Sequence, residues 1–202
     1  MGDEAGLLLA AREVGIERGY RQLLVGVNLE VKPGDLWQLT GANGAGKTSF
    51  LRALAGLASL GVSGEINCHQ PTLYQGHLPG LKPLLSAVEN LRWHPSGGID
   101  TDIEGIYAAL AGVGLAGHET TPVHSLSAGQ QRRVGLARLW LTDAPLWLLD
   151  EPFTAIDVAG AAMLEAQIIA HCRTGGAVVF TSHQPNRMAE QLQQLDLSQY
   201  AP

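Results

Sequence analysis

Eight consecutive residues, Gly41-Ala42-Asn43-Gly44-Ala45-Gly46-Lys47-Thr48, match the pattern G-x-x-x-x-G-K-[ST] in full. Glycines at these spacings let successive backbone N–H groups turn toward one point, where they can cradle phosphate oxygens. The lysine places a positive charge on the outer phosphates, and the hydroxyl that follows it suits Mg²⁺. Ser49 continues into a segment with helical apolar spacing, so a helix N-terminus adds the positive end of its dipole. The chemistry expected at this point is recognition of ATP together with Mg²⁺.

A second group of residues fits the same chemistry. The apolar run Leu146-Trp147-Leu148-Leu149 ends in Asp150-Glu151-Pro152. Side chains at the carboxyl end of a buried parallel strand reach a ligand crevice. Asp150 is placed to hold Mg²⁺, directly or through water. Glu151 is placed to activate the attacking water as a general base. Alone, this tripeptide would read as a solvated acidic turn; beside the glycine-rich loop it reads as the other half of a site. A third stretch, Leu126-Ser127-Ala128-Gly129-Gln130, precedes Gln131-Arg132-Arg133-Val134 and an apolar-periodic segment. Ser127 can cap that helix, and Gly129 leaves backbone N–H groups open. The result is a second anion site, of use if the ATP of another copy docks there.

The elements that must position these residues follow from periodicity. Leu7 to Glu17, Leu23 to Val31 and Asp35 to Thr40 read as strands, with a Pro33-Gly34 turn before the third. Thr48 to Ala58 reads as a helix with Phe50, Leu51, Leu54 and Leu57 on its apolar face. Val62 to Tyr74 reads as strand, turn, strand. Leu84 to Leu141 reads as mostly helical, interrupted at His94 to Asp102 and around Pro122. Leu146 to Leu149 and Ala177 to Phe180 are continuous apolar runs of the buried parallel kind. Helices are expected over Ala161 to Cys172 and Met188 to Leu195. Buried strands alternating with helices imply an α/β fold with a parallel sheet. The expectation is a single domain over residues 1–202, with a helical lobe inserted at about residues 82–126.

Composition narrows the classes. The chain has 202 residues, 46% hydrophobic and 16% charged, enough apolar side chain for a substantial core. Its net charge of −6 argues against nucleic acid as a partner, which calls for a basic face. The two cysteines, Cys68 and Cys172, are far apart and suit reduced thiols, with neither a disulfide framework nor a zinc pattern. The Met-Gly-Asp-Glu start lacks the basic region of a secretory signal, and Gly6 stands where a myristoylation site wants Ser or Thr. The longest apolar region, Leu136 to Leu149, is broken by Arg138, Thr142, Asp143 and Pro145, so no bilayer-spanning segment is expected. A soluble chain that reaches any membrane through a partner is the expectation. The seven histidines are scattered without metal-ligand spacing, and His69, His77, His94, His118, His124 and His171 read as surface or packing residues.

The order of the three motifs resembles the ATP-binding-cassette (ABC) family over nearly the whole chain. The glycine-rich loop comes first, then Leu126 to Gln130, then Asp150-Glu151. The resemblance implies a P-loop NTPase with a RecA-like parallel-sheet core, an N-terminal antiparallel β part and the inserted helical subdomain. It adds three residues. Gln75, after a strand, would contact Mg²⁺ and the attacking water at the hinge to the helical lobe. Asp157 would lie at a homodimer interface, and His183, after Phe180-Thr181-Ser182, would touch the γ-phosphate. It also implies that Ser127, Gly129 and Gln130 of one copy complete the site of the other. Two positions depart from the family pattern. The aromatic residue that stacks on adenine should fall near Arg18 to Tyr20, leaving Arg18 and Tyr20 as alternatives, and Ala128 stands where Gly is commoner. Local strings resemble the ATP-binding subunits of haem exporters in bacterial cytochrome c maturation. They are Tyr74 to Lys82, Glu89-Asn90-Leu91, Ala128 to Leu141, Asp150 to Asp157 and Thr181-Ser182-His183-Gln184. That resemblance implies integral membrane subunits as partners, a place at the cytoplasmic face of the inner membrane, and either haem export or release of a haem-loaded carrier. Another small bacterial transporter ATPase, or a non-transport ABC ATPase, is the alternative.

Overall fold

A computed structural model describes residues 6–94, 102–182, 188 and 192–202. The chain divides into two compact units. The first comprises residues 1–74, 144–151 and 170–202; the second comprises residues 75–143 and 152–169.

The first unit holds two sheets. Strands β1 (Leu9–Arg18) and β2 (Arg21–Val31) form an antiparallel hairpin turning at Gly19-Tyr20, and β4 (Val62–Cys68) pairs antiparallel on the other side of β1. The second sheet has five strands in the order β5-β6-β7-β3-β8. They are β3 (Leu36–Thr40), β5 (Thr72–Gln75, whose last residue belongs to the second unit), β6 (Leu146–Leu149), β7 (Ala177–Thr181) and β8 (Leu192–Asp196). β6 runs parallel to β7, and β3 runs parallel to both β7 and β8. All residues of β6 and β7 are buried, which is why these strands read as unbroken apolar runs. Helix α1 (Lys47–Leu54) inserts Phe50, Leu51 and Leu54 into a core shared with Leu24, Leu39, Leu148 and Val179. Trp147 stacks on His171 with ring centroids 3.7 Å apart, and His171 Nε2 lies 3.1 Å from the Pro145 carbonyl. Burial holds this imidazole below the usual histidine pKa, so His171 is a packing residue.

The second unit is helical: α2 (Ala87–Arg92), α3 (Ile103–Gly112), α4 (Ala128–Leu136) and α5 (Val158–Arg173), whose last turn belongs to the first unit. Short 3₁₀ turns occupy Val123–Ser125 and Ala137–Trp140. Leu91, Ile106, Leu110, Val123 and Val134 are among the residues that form its core.

Three expectations need correction. The segment expected to be a helix over Met188 to Leu195 supplies strand β8 at residues 192–196, pairing Leu36 with Leu192 and Thr40 with Asp196. Leucines three apart among glutamines favour helix locally, but β3 offers an open row of backbone partners, and that tertiary pairing decides. Helix α1 stops at Leu54 rather than Ala58. Gly56 takes φ +68°, its N–H reaches the Ala53 carbonyl at 2.9 Å, and the Leu57 N–H reaches that of Arg52 at 2.9 Å, a Schellman stop. Helix α5 starts three residues early, at Val158, because the Asp157 carboxylate accepts from the Gly160 N–H at 2.8 Å.

Candidate nucleotide site

Strand β3 delivers the chain into the loop 41–46, and α1 leaves it at Lys47. Gly46 sits at the helix start with φ +97°, and a Cβ there would lie 3.2 Å from Leu24 carbons. A left-handed backbone against a packed leucine leaves room only for glycine. No side chain caps α1, so no capping oxygen competes for the amides of its first turn. Lys47 is buried and donates to the Gly41 and Ala42 carbonyls at 2.7 and 3.0 Å. The ammonium thus curls over its own loop, at the point where a phosphate would offer better acceptors.

The acidic pair lies beside this loop within the same unit. Asp150, 2% exposed at the end of β6, accepts from two hydroxyls on one oxygen, Oδ1: Thr48 Oγ1 at 3.1 Å and Thr181 Oγ1 at 2.9 Å. Thr181 Oγ1 in turn accepts from the Glu151 N–H at 2.8 Å. That last bond helps hold Glu151 at φ +53°, a conformation that costs a non-glycine residue about 1–3 kcal/mol. The carboxylate at Asp150 is felt nearby: the Tyr74 phenol is pushed up by burial and by Asp150, partly offset by Arg52. A concave space opens between Arg18, Asn43, Gly44, Lys47, Ser49 and Glu151. Arg18 lines it, whereas Tyr20 is fully exposed at the hairpin tip. Another open depression on this unit lies among Arg12, Glu13, Glu30, Lys32 and Asp35; it has neither loop nor strand-end carboxylate pair.

The remaining described candidates lie in the second unit. Gln75 is 2% exposed; its carbonyl oxygen accepts from Arg138 at 3.3 Å and its amide donates to the Gly76 carbonyl at 3.3 Å. Ser127 caps α4 in a reciprocal box: its hydroxyl accepts from the Gln130 N–H at 3.2 Å, and its own N–H donates to Gln130 Oε1 at 2.9 Å. Ala128 is an exposed residue of the first helical turn, where a methyl in place of hydrogen meets open solvent. Gly129 approaches the Ala155 carbonyl, and Asp157 caps α5. His183 lies outside the described residues. Thr181 is the site residue that sequence reasoning passed over. A threonine ending an apolar strand reads as ordinary β-branched packing, and only the fold brings it to Asp150.

A model of the ABC transporter family matches residues 24–154. The chain belongs to that family. This ABC protein is 46% identical to the cytochrome c biogenesis ATP-binding export protein CcmA of Shigella flexneri, and to that of Escherichia coli K12, over 95% of this chain and 97% of each relative. Among solved structures it is similar to an ABC transporter ATP-binding protein of Pyrococcus furiosus (TM-score 0.81, 21% identity, 96% of this chain and 99% of that one). It is also similar to a dimeric ATP-binding cassette in a post-hydrolysis state bound to ADP and Pi (TM-score 0.75, 22% identity, 87% and 88% covered). These two likenesses confirm the ABC fold. Among the described residues no helix is long and apolar enough to cross a membrane.

Proposed function

We propose that this ABC protein is the ATP-hydrolysing subunit of a transporter complex serving cytochrome c biogenesis, working as a homodimer beside integral membrane subunits. The observation that carries the hydrolytic reading is the relay Thr48–Asp150–Thr181–Glu151 next to the glycine-rich loop. Backbone N–H groups of residues 43–48 take the phosphates, and Lys47 exchanges its two loop carbonyls for phosphate oxygens. Hard cations take oxygen ligands, and the side-by-side Thr48 and Asp150 oxygens suit Mg²⁺, with Gln75 as a further contact. The ion, when bound, neutralises charge on the phosphate oxygens. Glu151 takes the proton of the attacking water, and the Thr181 hydroxyl holds its backbone beside Asp150. Arg18 offers its guanidinium plane to the base. His183 is assigned to the γ-phosphate by the family resemblance alone.

Ser127, Gly129 and Gln130 of a second copy complete each site, with Asp157 at the interface. The fold likeness to a dimeric cassette supports that arrangement. The chain then acts as one nucleotide-binding domain whose helical part, carrying Gln75 and the following residues, passes the nucleotide cycle to the membrane subunits. The complex sits at the cytoplasmic face of the inner membrane. Identity of 46% to CcmA proteins over nearly the full length supports the cytochrome c role, in which the cycle exports haem or releases a haem-loaded carrier. The net charge of −6 favours protein partners over nucleic acid.

The test is deletion of the gene, with covalently attached haem in exported cytochromes as the readout. Loss that wild type restores and Glu151→Gln does not restore is the expected result. Intact maturation after deletion overturns the cytochrome assignment. Replacing His77 and Lys82 with Ala should leave nucleotide affinity of the isolated chain within about threefold and reduce co-purification of the membrane subunits.

A further inference from the structure

Two buried arginines in the second unit have no chemical role in the function just proposed, although one of them holds Gln75. Arg132 is 4% exposed and Arg138 is 6% exposed. With Gly135 they recur at every third residue from α4 into the 3₁₀ turn that follows, the spacing that sets side chains on one helical face. That face holds the irregular segment from Gln75 to Gly80. Arg132 donates to the Gly76 carbonyl at 2.9 Å and to the His77 carbonyl. Arg138 donates to the Pro79 carbonyl at 2.8 Å, the Gly80 carbonyl at 3.2 Å and the Gln75 side-chain carbonyl at 3.3 Å. Between them, a Cβ on Gly135 would come within 2.9 Å of Pro79 Cβ, so backbone and proline pack as closely as atoms allow.

The arrangement exceeds what packing needs. Irregular backbone must find partners for its carbonyls, but neutral donors or water can serve. Here two guanidiniums are taken out of water instead, which is costly for a charged group. Burial drives the Arg138 guanidinium down to about 10. A fork of fixed donors does one thing a lysine or a water cannot: it fixes the direction of several acceptors at once. One of those acceptors is the side-chain oxygen of Gln75, the atom through which an amide reaches a hard cation.

We propose that Arg138 is the positioning residue for Gln75, fixing the direction of the carbonyl oxygen that the amide offers to Mg²⁺ and fastening it to the turn that follows the helix beginning at Ser127. The assignment rests on the ATPase reading of Gln75. A carbonyl oxygen has two lone pairs, so Gln75 can keep the arginine and still face the ion. Arg132 and Gly135 anchor the backbone of the same segment without touching the amide.

The experiment uses the full chain carrying Glu151→Gln, so that binding is read without turnover. With ATP saturating, the melting temperature is followed as Mg²⁺ is added, and the Mg²⁺ concentration at half the gain is recorded. Arg138→Met should raise that half-point roughly tenfold, the usual effect of removing a group that orients a metal contact. Gln75→Ala should raise it by a similar factor, and the double substitution should add nothing, because the two act on one contact. Arg132→Met should lower the starting melting temperature and leave the half-point within about twofold, since it removes backbone anchoring alone. If Arg138→Met does not fold, Arg138→Lys carries the same test with a smaller shift, because one ammonium cannot reach Pro79 and Gln75 together. A half-point unmoved by either Arg138 change while Gln75→Ala shifts it overturns the positioning role alone. A half-point unmoved by Gln75→Ala overturns the reading of Gln75, and the proposal with it. Additive shifts in the double variant also overturn it.

Discussion

Helices α1 and α4 both start beside glycine, yet they treat their free amides in opposite ways. At α1, Gly46 supplies no capping oxygen. At α4, Ser127 and Gln130 satisfy each other in a closed box. An uncapped glycine start forgoes only a few tenths of a kcal/mol and keeps its donors for a ligand. A closed box stabilises the helix by itself and leaves outward what it does not use, the Ala128 and Gly129 amides and the Ser127 hydroxyl proton. The first helix therefore keeps its amides open, which on the proposed reading lets it bind phosphate unaided. The second is built to stand alone, and on the proposed reading it adds its remaining donors to a phosphate that another copy has already bound.

Four substitutions test that division. Glu151→Gln acts on neither helix and should have the largest effect, a loss of roughly 10²- to 10⁴-fold in turnover, the worth of a positioned base. Nucleotide binding should survive, and an ATP-bound dimer should accumulate on size exclusion; near-normal hydrolysis would place the base elsewhere. Lys47→Ala attacks the uncapped side. It should weaken Mg-ATP binding by about 2–3 kcal/mol, roughly 30- to 150-fold. Wild type should gain about 2.7 kcal/mol of stability at a hundred times its dissociation constant, and an equal gain in the variant would remove the loop from the site. Thr181→Val cuts the buried donor to Asp150 and the acceptor for the half-buried Glu151 N–H. It should reduce turnover about tenfold and stability by about 1–3 kcal/mol, read as parallel losses in rate and melting temperature. Ser127→Ala opens the box on the other side and should have the smallest effect on the isolated chain. About 1 kcal/mol of helix stability should go, a fall of about 2–4 °C, with monomer affinity for ATP unchanged. The dimer trapped by Glu151→Gln should dissociate more readily in this background. If Ser127→Ala weakens monomer binding as much as Lys47→Ala does, the contrast between the helices is false.

What could be read from the sequence follows the same line between local and distant. The loop from Gly41 to Thr48 and the pair Asp150-Glu151 are legible because each is a short run whose backbone geometry and chemistry are local. Strands β6 and β7 are legible because burial on both faces leaves an apolar run. Strand β8 was not, since Leu192 to Leu195 favours helix on local preference and only β3 overrides it. Thr181 was missed for a related reason: its partners are Asp150 and Glu151, about thirty residues away. Arg138 appeared only as a break in an apolar region, because nothing in a linear pattern shows that Gln75, Pro79 and Gly80 converge on it.

Strand β3, which feeds the glycine-rich loop, is flanked by β7 on one side and β8 on the other. Residues 36–40 are thus seated by residues 177–181 and 192–196. During synthesis the loop and its helix emerge early, but the strand that aims them has no neighbour in this order until residue 177 is made. Contacts this distant in the chain form late and slowly. The growing chain therefore passes through most of its translation with the phosphate loop present but unaimed. Pairing of β3 and seating of the loop become one late event, so a product truncated before residue 177 would carry the phosphate loop without either strand that aims it.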